Sequence, residues 1–339
     1  MKKKDSGINK TFVVTYRCNF KCPYCYETAK KIDMSKKIAD LTLKQLFDQA
    51  IKEKKQNMRI SFFGGEPLLK RELIRYIVQK CRKFCKVHRI KLLFSIITNG
   101  SLFDAQFGKI FHKGELDHVQ VTIDGPREIH NKRRMYLSGR GTYDDILKKL
   151  PNVLEIANRT SVRINVDHLN IRSVPKLLND LEKFKSKNLK ANFALVNNFD
   201  GRGKNRINAL NIKVFSKRVL SLEKIAKEKG LLDKTPLRPK VFYCAASTAN
   251  PSWVDPYGDI YCCQHALGHT DIKLGSIFSK IDEKMQKNWL NYSLIKNNHC
   301  LKCKQVYFCG GACPMFFRKG YIGQDLCYNF DKILLSRYA

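Results

Sequence analysis

The chain has 339 residues, 43% of them hydrophobic, enough to bury the core of one large α/β barrel or of a barrel with a small appended domain; global disorder is excluded. No apolar run approaches the roughly 20 residues that span a bilayer, and the basic start "MKKKDSGINKTFVV" has too short an apolar stretch for a signal peptide, so a cytoplasmic protein with no membrane partner is expected. The net charge of +34 sets 64 Lys and Arg against 30 Asp and Glu, yet the segment from Cys244 to Cys327 holds only 9 basic and 6 acidic residues. The excess lies earlier, scattered through helical stretches such as "KEKKQ", "KFKSKNLK" and "KIAKEKG" without interleaved aromatics. That pattern reads as a solvated lysine-rich surface and not as a nucleic-acid-binding face.

Short β-branched runs alternate with helical periodicity through residue 230. The first strand, "TFVVTY" (11–16), runs directly into "RCNFKCPYCYE", which sets Cys18, Cys22 and Cys25 at C-x3-C-x2-C spacing. Further strands are expected at 59–63, 91–98, 118–124, 161–167 and 191–196. Helices are expected at 42–55, 70–86, 104–113, 142–157, 173–187 and 211–229. Six β/α repeats imply a parallel sheet with crossover helices, two units short of a closed eight-stranded barrel; a partial (β/α)6 TIM-like barrel is the economical reading. Its chemistry should sit at the C-terminal ends of the strands. The cysteine loop follows strand 1 there, and "GGEP" follows strand 2.

Thirteen cysteines in a reducing compartment do not suggest disulfides, and their clustering favours metal or iron–sulfur ligation. Three thiolates can hold three irons of a [4Fe–4S] cluster and leave the fourth open. A zinc site would want a fourth Cys or His close by, and none stands between Cys25 and Cys81 at finger-like spacing. Lys21 and Pro23 make the segment a polar loop, which argues against three buried, unligated thiols. Cys81 and Cys85 lie on one face of a helix and read as two stray thiols. His88, His118 and His168 are isolated and read as structural or surface residues.

After "LLDKTPLRPK" the pattern becomes short and turn-rich. The domain reading is a barrel over 1–230, a linker over 231–240, a cysteine-rich domain over 241–327 holding eight cysteines, and a closing helix over 328–339.

With Tyr24 inside it, the C-x3-C-x2-C loop resembles that of the radical S-adenosylmethionine (SAM) superfamily. "FFGGEP" (62–67) resembles the family's SAM-binding segment, its glycines allowing close backbone approach to a ligand and Glu66 offering an acceptor for an ammonium group. "VTIDGPREIHNKRR" (121–134) is similar to a segment of the peptide-modifying members. The resemblance implies a SAM pocket built from Tyr24, Gly64, Gly65, Glu66, Thr122, Arg134 and Leu195. Thr122 would contact the ribose, Arg134 the carboxylate, and Leu195 would pack near the adenine. It further implies that a reduced cluster cleaves SAM to a 5′-deoxyadenosyl radical, which abstracts hydrogen from the substrate.

The ladder Cys244, Cys263, Cys300, Cys303, Cys309, Cys313 and Cys327 resembles the SPASM domain, which carries two auxiliary [4Fe–4S] clusters, for three in all. By that likeness Cys244, Cys263 and Cys313 hold the inner cluster and Cys300, Cys303, Cys309 and Cys327 the outer. Where some members add a closing cysteine this chain has Asn250, so the inner cluster is expected to keep an open iron. Cys262 adjoins Cys263, but neighbours in an extended segment point opposite ways. Sulfatase-maturating members carry an acidic residue after the cysteine matching Cys263; Gln264 stands here and counts against that activity. The expectation is a maturase forming a thioether or carbon–carbon crosslink in a ribosomally made peptide, with a flavodoxin or ferredoxin as electron donor. A small-molecule dehydrogenase or epimerase, a sulfatase-type protein maturase and a non-catalytic iron–sulfur electron carrier are the other readings. With about ten residues before strand 1, no leader-recognition domain is expected, so an acidic leader would meet the basic barrel itself.

Overall fold

The computed structural model describes residues 7–27, 31–196, 210, 212–232, 244, 246, 250–290, 301–303, 306 and 315. Six parallel strands, β1 (Ile8–Thr15), β2 (Asn57–Gly64), β3 (Lys91–Thr98), β4 (Leu116–Thr122), β5 (Arg159–Val166) and β6 (Leu189–Leu195), lie side by side in chain order. The intervening helices are α1 (Lys36–Lys52), α2 (Arg71–Val87), α3 (Ala105–Gly108), α4 (Arg127–Arg133), α5 (Tyr143–Ile156), α6 (Val174–Glu182) and α7 (Ile212–Glu228). This is the partial (β/α)6 barrel.

Both faces of the central strands are apolar, as burial on both sides demands. Phe12, Val14, Phe62 and Phe94 pack into the main core, joined by α2 through Leu73, Ile74, Ile77, Val78, Cys81 and Cys85 at helical spacing. Val13, Tyr16 and Phe63 form a smaller cluster on the other face, against Ile97 and Trp253. Cys81 and Cys85 are thus helix–sheet packing residues, and the Cys85 Sγ lies 3.7 Å from the Met58 Sδ.

Three elements depart from the expected ones. Helix α1 begins six residues early because Ser35 caps it, its hydroxyl accepting from the Ile38 amide at 3.2 Å. The expected helix over 104–113 shrinks to α3, since the chain turns through His112 to Gly114, whose φ of +84° suits glycine. Helix α4 was not anticipated; Pro126 starts it and the buried His130 anchors it.

Beyond α7, β7 (Trp253–Val254) pairs parallel to β1, and β8 (Asp259–Tyr261) and β9 (Gly275–Ser276) continue the sheet antiparallel; α8 (Glu283–Leu290) follows. Asp255 holds the β7–β8 turn by accepting from the amides of Tyr257 and Asp259, and its other oxygen accepts from the Tyr16 hydroxyl at 2.9 Å. Cys300, Cys309, Cys313, Cys327 and the closing helix lie outside the described residues. Among the described residues no helix is long and apolar enough to cross a membrane.

Candidate active site

Loops from the C-terminal ends of β1 to β5 converge on one region. The cysteine loop is held by main-chain bonds on two sides. On one, the amides of Gly65 and Glu66 donate to the carbonyls of Thr15 and Arg17 at 3.0 and 2.9 Å. On the other, the Lys21 amide donates to Met135 and the Leu137 amide to Asn19, both at 3.0 Å. The glycines are required by the first latch: a Cβ would fall 2.2 Å from the Thr15 carbonyl oxygen at Gly64 and 2.4 Å from that of Arg17 at Gly65. What these glycines approach is therefore the cysteine loop's own backbone, where sequence reasoning expected a ligand.

Cys18 and Cys22 are half-buried and Cys25 is exposed. Burial, with Glu66 adding to it, pushes the Cys18 thiol up to about 12, and the Cys22 thiol is also raised by burial. Cys22 and Cys25 raise the Cys18 thiol further, and a bound cationic centre would draw such thiols down as thiolates.

Glu66 is fully buried, its carboxyl raised by burial. It accepts from the Leu68 amide at 3.0 Å, the Thr98 hydroxyl at 2.7 Å and the Asn99 amide at 2.7 Å. A carboxylate has about four acceptor positions, so one stays open on Oε2. Asn99 also reaches the cysteine loop, its side-chain amide donating to Asn19 at 2.8 Å.

Tyr24 is the hub of a buried polar network. Its hydroxyl donates to Asp124 and accepts from Arg134 Nη1 at 2.6 Å, while the Arg133 guanidinium lies 4.9 Å from its ring centre. Asp124 takes a second donor from the Asn165 amide at 2.9 Å, and Arg133 pairs with Asp167. Arg134 Nε is buried without an acceptor among the described residues. An orphaned cationic donor in a buried site fits an anionic ligand group such as a carboxylate. Thr122 ends β4 buried, and Leu195 ends β6 half-buried. Beneath the network His130 Nδ1 accepts from the Asp124 amide at 3.2 Å and its Nε2 meets Thr142 Oγ1 at 3.0 Å.

The structure thus brings Tyr24, Gly64, Gly65, Glu66, Thr122 and Arg134 to one end of the barrel beside the three cysteines. Sequence reasoning missed Asp124, Arg133, Asn165, Asp167 and His130; "DGP" and "RR" hold Asp124 and Arg133, and no motif signalled the other three. Cys263 is extended and half-buried, its Sγ accepting from the His265 amide, while Cys262 is buried in the core. Cys244 is half-buried, as is Cys303. The His88 ring lies tilted against that of Phe84, His118 bonds to Ser161 and His168 is exposed.

This chain is 29% identical to Fe-coproporphyrin III synthase of Methanosarcina barkeri, over 54% of this chain and 43% of that one, so it spans under half of that relative. It is 24% identical to the cysteine-type anaerobic sulfatase-maturating enzyme of Clostridium perfringens, over 87% and 85% of the two chains. The fold is that of native anSMEcpe, solved with bound AdoMet and Cp18Cys peptide (TM-score 0.72, 19% identity, 97% and 95% of the two chains). It is also that of Streptococcus suis SuiB, solved bound to precursor peptide SuiA (TM-score 0.68, 16% identity, 95% and 76%). The model of the Radical SAM superfamily matches residues 12–181, half of the chain, including the cysteine loop, the Gly64–Glu66 turn and the Tyr24–Asp124–Arg134 network, and the chain belongs to that superfamily.

Proposed function

We propose that this protein is a radical SAM maturase that abstracts hydrogen from a peptide and forms a thioether or carbon–carbon crosslink in it. The observation that carries the reading is the latch between the cysteine loop and the Gly64–Glu66 turn, which sets three thiols and an open Glu66 acceptor at one barrel end with Arg134. Cys18, Cys22 and Cys25 hold a [4Fe–4S] cluster, and the superfamily's cofactors supply the hydrogen-abstracting radical when bound. Glu66 Oε2 accepts from the ammonium of SAM and Arg134 donates to its carboxylate. Thr122 faces the ribose and Leu195 the adenine. Tyr24 is held by Asp124 and Arg134, and so keeps the cysteine loop against β4 and β5. The buried pairs on Arg133, Asp124 and Asp167 stiffen that wall without exposing charge to the reacting centre.

Residues 241–327 act as a SPASM domain joined to the barrel 1–230 by 231–240. Cys244, Cys263 and Cys313 hold an inner cluster with an open iron near Asn250, and Cys300, Cys303, Cys309 and Cys327 hold an outer one. Structures of anSMEcpe and SuiB with peptides support a peptide substrate. Gln264 favours crosslinking over sulfatase maturation. The basic barrel suits an acidic leader and an acidic flavodoxin or ferredoxin donor.

Anaerobic incubation of the reconstituted protein with SAM and dithionite tests the core of this reading. Formation of 5′-deoxyadenosine is expected, and its absence refutes it. A two-hydrogen mass loss on a cysteine-containing peptide encoded beside the gene is the expected product, and an unchanged peptide mass refutes the crosslink.

A further inference from the structure

Glu27 stands two residues past Cys25, where the cysteine loop meets the β7–β8 segment. Both of its carboxylate oxygens are closed to solvent, and neither has a donor among the described residues. The other buried carboxylates of the site are paired. Glu66 takes three donors, Asp124 takes Tyr24 and Asn165, Asp167 takes Arg133 and the Leu169 amide, and Asp255 takes Tyr16 and two amides. The charge of Glu27 bears on Tyr16, Tyr26 and Cys25. Tyr16 bonds to Asp255 and the Tyr26 ring lies 5.1 Å from that of His265, so the carboxylate sits at the seam between the barrel and the later segment.

A carboxylate removed from water without partners is costly, and a native structure normally supplies them. We propose that Glu27 is the residue that selects a cationic side chain, lysine or arginine, in the peptide substrate. The donor count favours a cation over a backbone amide. Two empty oxygens offer about four acceptor positions; an amide brings one N–H, whereas an ammonium brings three and a guanidinium five in a fork matched to a carboxylate. The inference rests on the maturase reading and narrows its substrate: an acidic leader to meet the basic surface, and a basic residue close to the site of hydrogen abstraction.

The test uses the anaerobically reconstituted holoenzyme and four synthetic peptides. They are identical except at one position beside a cysteine, which is Lys, Arg, Gln or Leu. Anisotropy of a fluorescein-labelled peptide gives each dissociation constant. The Lys and Arg peptides should bind about ten-fold tighter than the others, the scale of one desolvated ion pair. That advantage should vanish in Glu27→Gln and return in part in Glu27→Asp. Equal binding of all four to the wild type, or an advantage that persists in Glu27→Gln, overturns the proposal. SAM carries an ammonium too, so SAM affinity is measured in parallel; a ten-fold loss confined to SAM would move the cation from peptide to cofactor and also overturn it. Failure of the wild type to form 5′-deoxyadenosine would sink the maturase reading separately, whatever the peptide preference.

Discussion

His130 gives the sharpest test of the buried network. Thr142 Oγ1 donates to the Arg134 carbonyl at 2.6 Å, so it must accept from His130 Nε2–H, leaving Nδ1 unprotonated to accept from the Asp124 amide. A proton on Nδ1 would face that amide's own N–H and put a cation beside Arg133 and Arg134. Burial first, and these arginines next, hold the imidazole down to about 3 against its ordinary 6.5. The sign follows from proton uptake: the unfolded chain binds a proton below pH 6.5 and the folded chain does not. Stability is therefore full above pH 6.5 and falls as pH drops towards 3, by at most on the order of 5 kcal/mol. Between pH 7.5 and 5.5 the loss from this one group is about ten-fold in the folding equilibrium, or about 1.4 kcal/mol. Urea unfolding of wild type and His130→Gln at the two pH values measures it, since glutamine keeps a donor and an acceptor but does not titrate. The stability gap between the two proteins should narrow by about that amount at pH 5.5. A gap unchanged with pH would refute the assigned tautomer and the buried neutral imidazole.

Gly65→Ala should break the latch, since its Cβ would meet the Arg17 carbonyl oxygen at 2.4 Å; a loss of about 1–3 kcal/mol by thermal unfolding and lower iron per chain are expected. Glu66→Gln sets an amide NH2 against one of three donors, so a cost of about 1–3 kcal/mol is expected, and unchanged stability would contradict the network. Tyr16→Phe removes the donor to Asp255 and should cost about 1–3 kcal/mol in urea unfolding, the β7–β8 turn becoming the first segment to exchange its amide hydrogens. Reduction by an acidic flavodoxin should slow about ten-fold between low and high salt; a salt-independent rate would argue against electrostatic steering.

Strand positions were legible because each β/α unit repeats an apolar run followed by helical periodicity, and the cysteine loop announced itself by spacing. The buried pairing of Arg133, Asp124 and Asp167 was not, because it joins the ends of β4 and β5 through side chains 34 residues apart. Helix α4 was hidden inside a stretch read for its ligands, and the early start of α1 turned on a single serine cap. The glycines of "GGEP" were read as letting the backbone approach a ligand; the Thr15 and Arg17 carbonyls packed against them are visible only in the fold. Glu27 looked ordinary, since nothing in one sequence reveals that a carboxylate lacks donors among the described residues.

The parallel join of β7 to β1 also sets an order of assembly. Lys10 reaches the Pro251 carbonyl across 241 residues, and β7 is the strand that covers the free edge of β1. At about 5–20 residues per second, synthesis leaves that edge unpaired on the order of tens of seconds after β1 has emerged. During that interval an open strand edge ends in three thiols, a template for wrong pairing and a target for oxygen. The nascent chain is thus most vulnerable at its earliest strand, and early loading of the cysteine loop would protect the protein before its sheet can close.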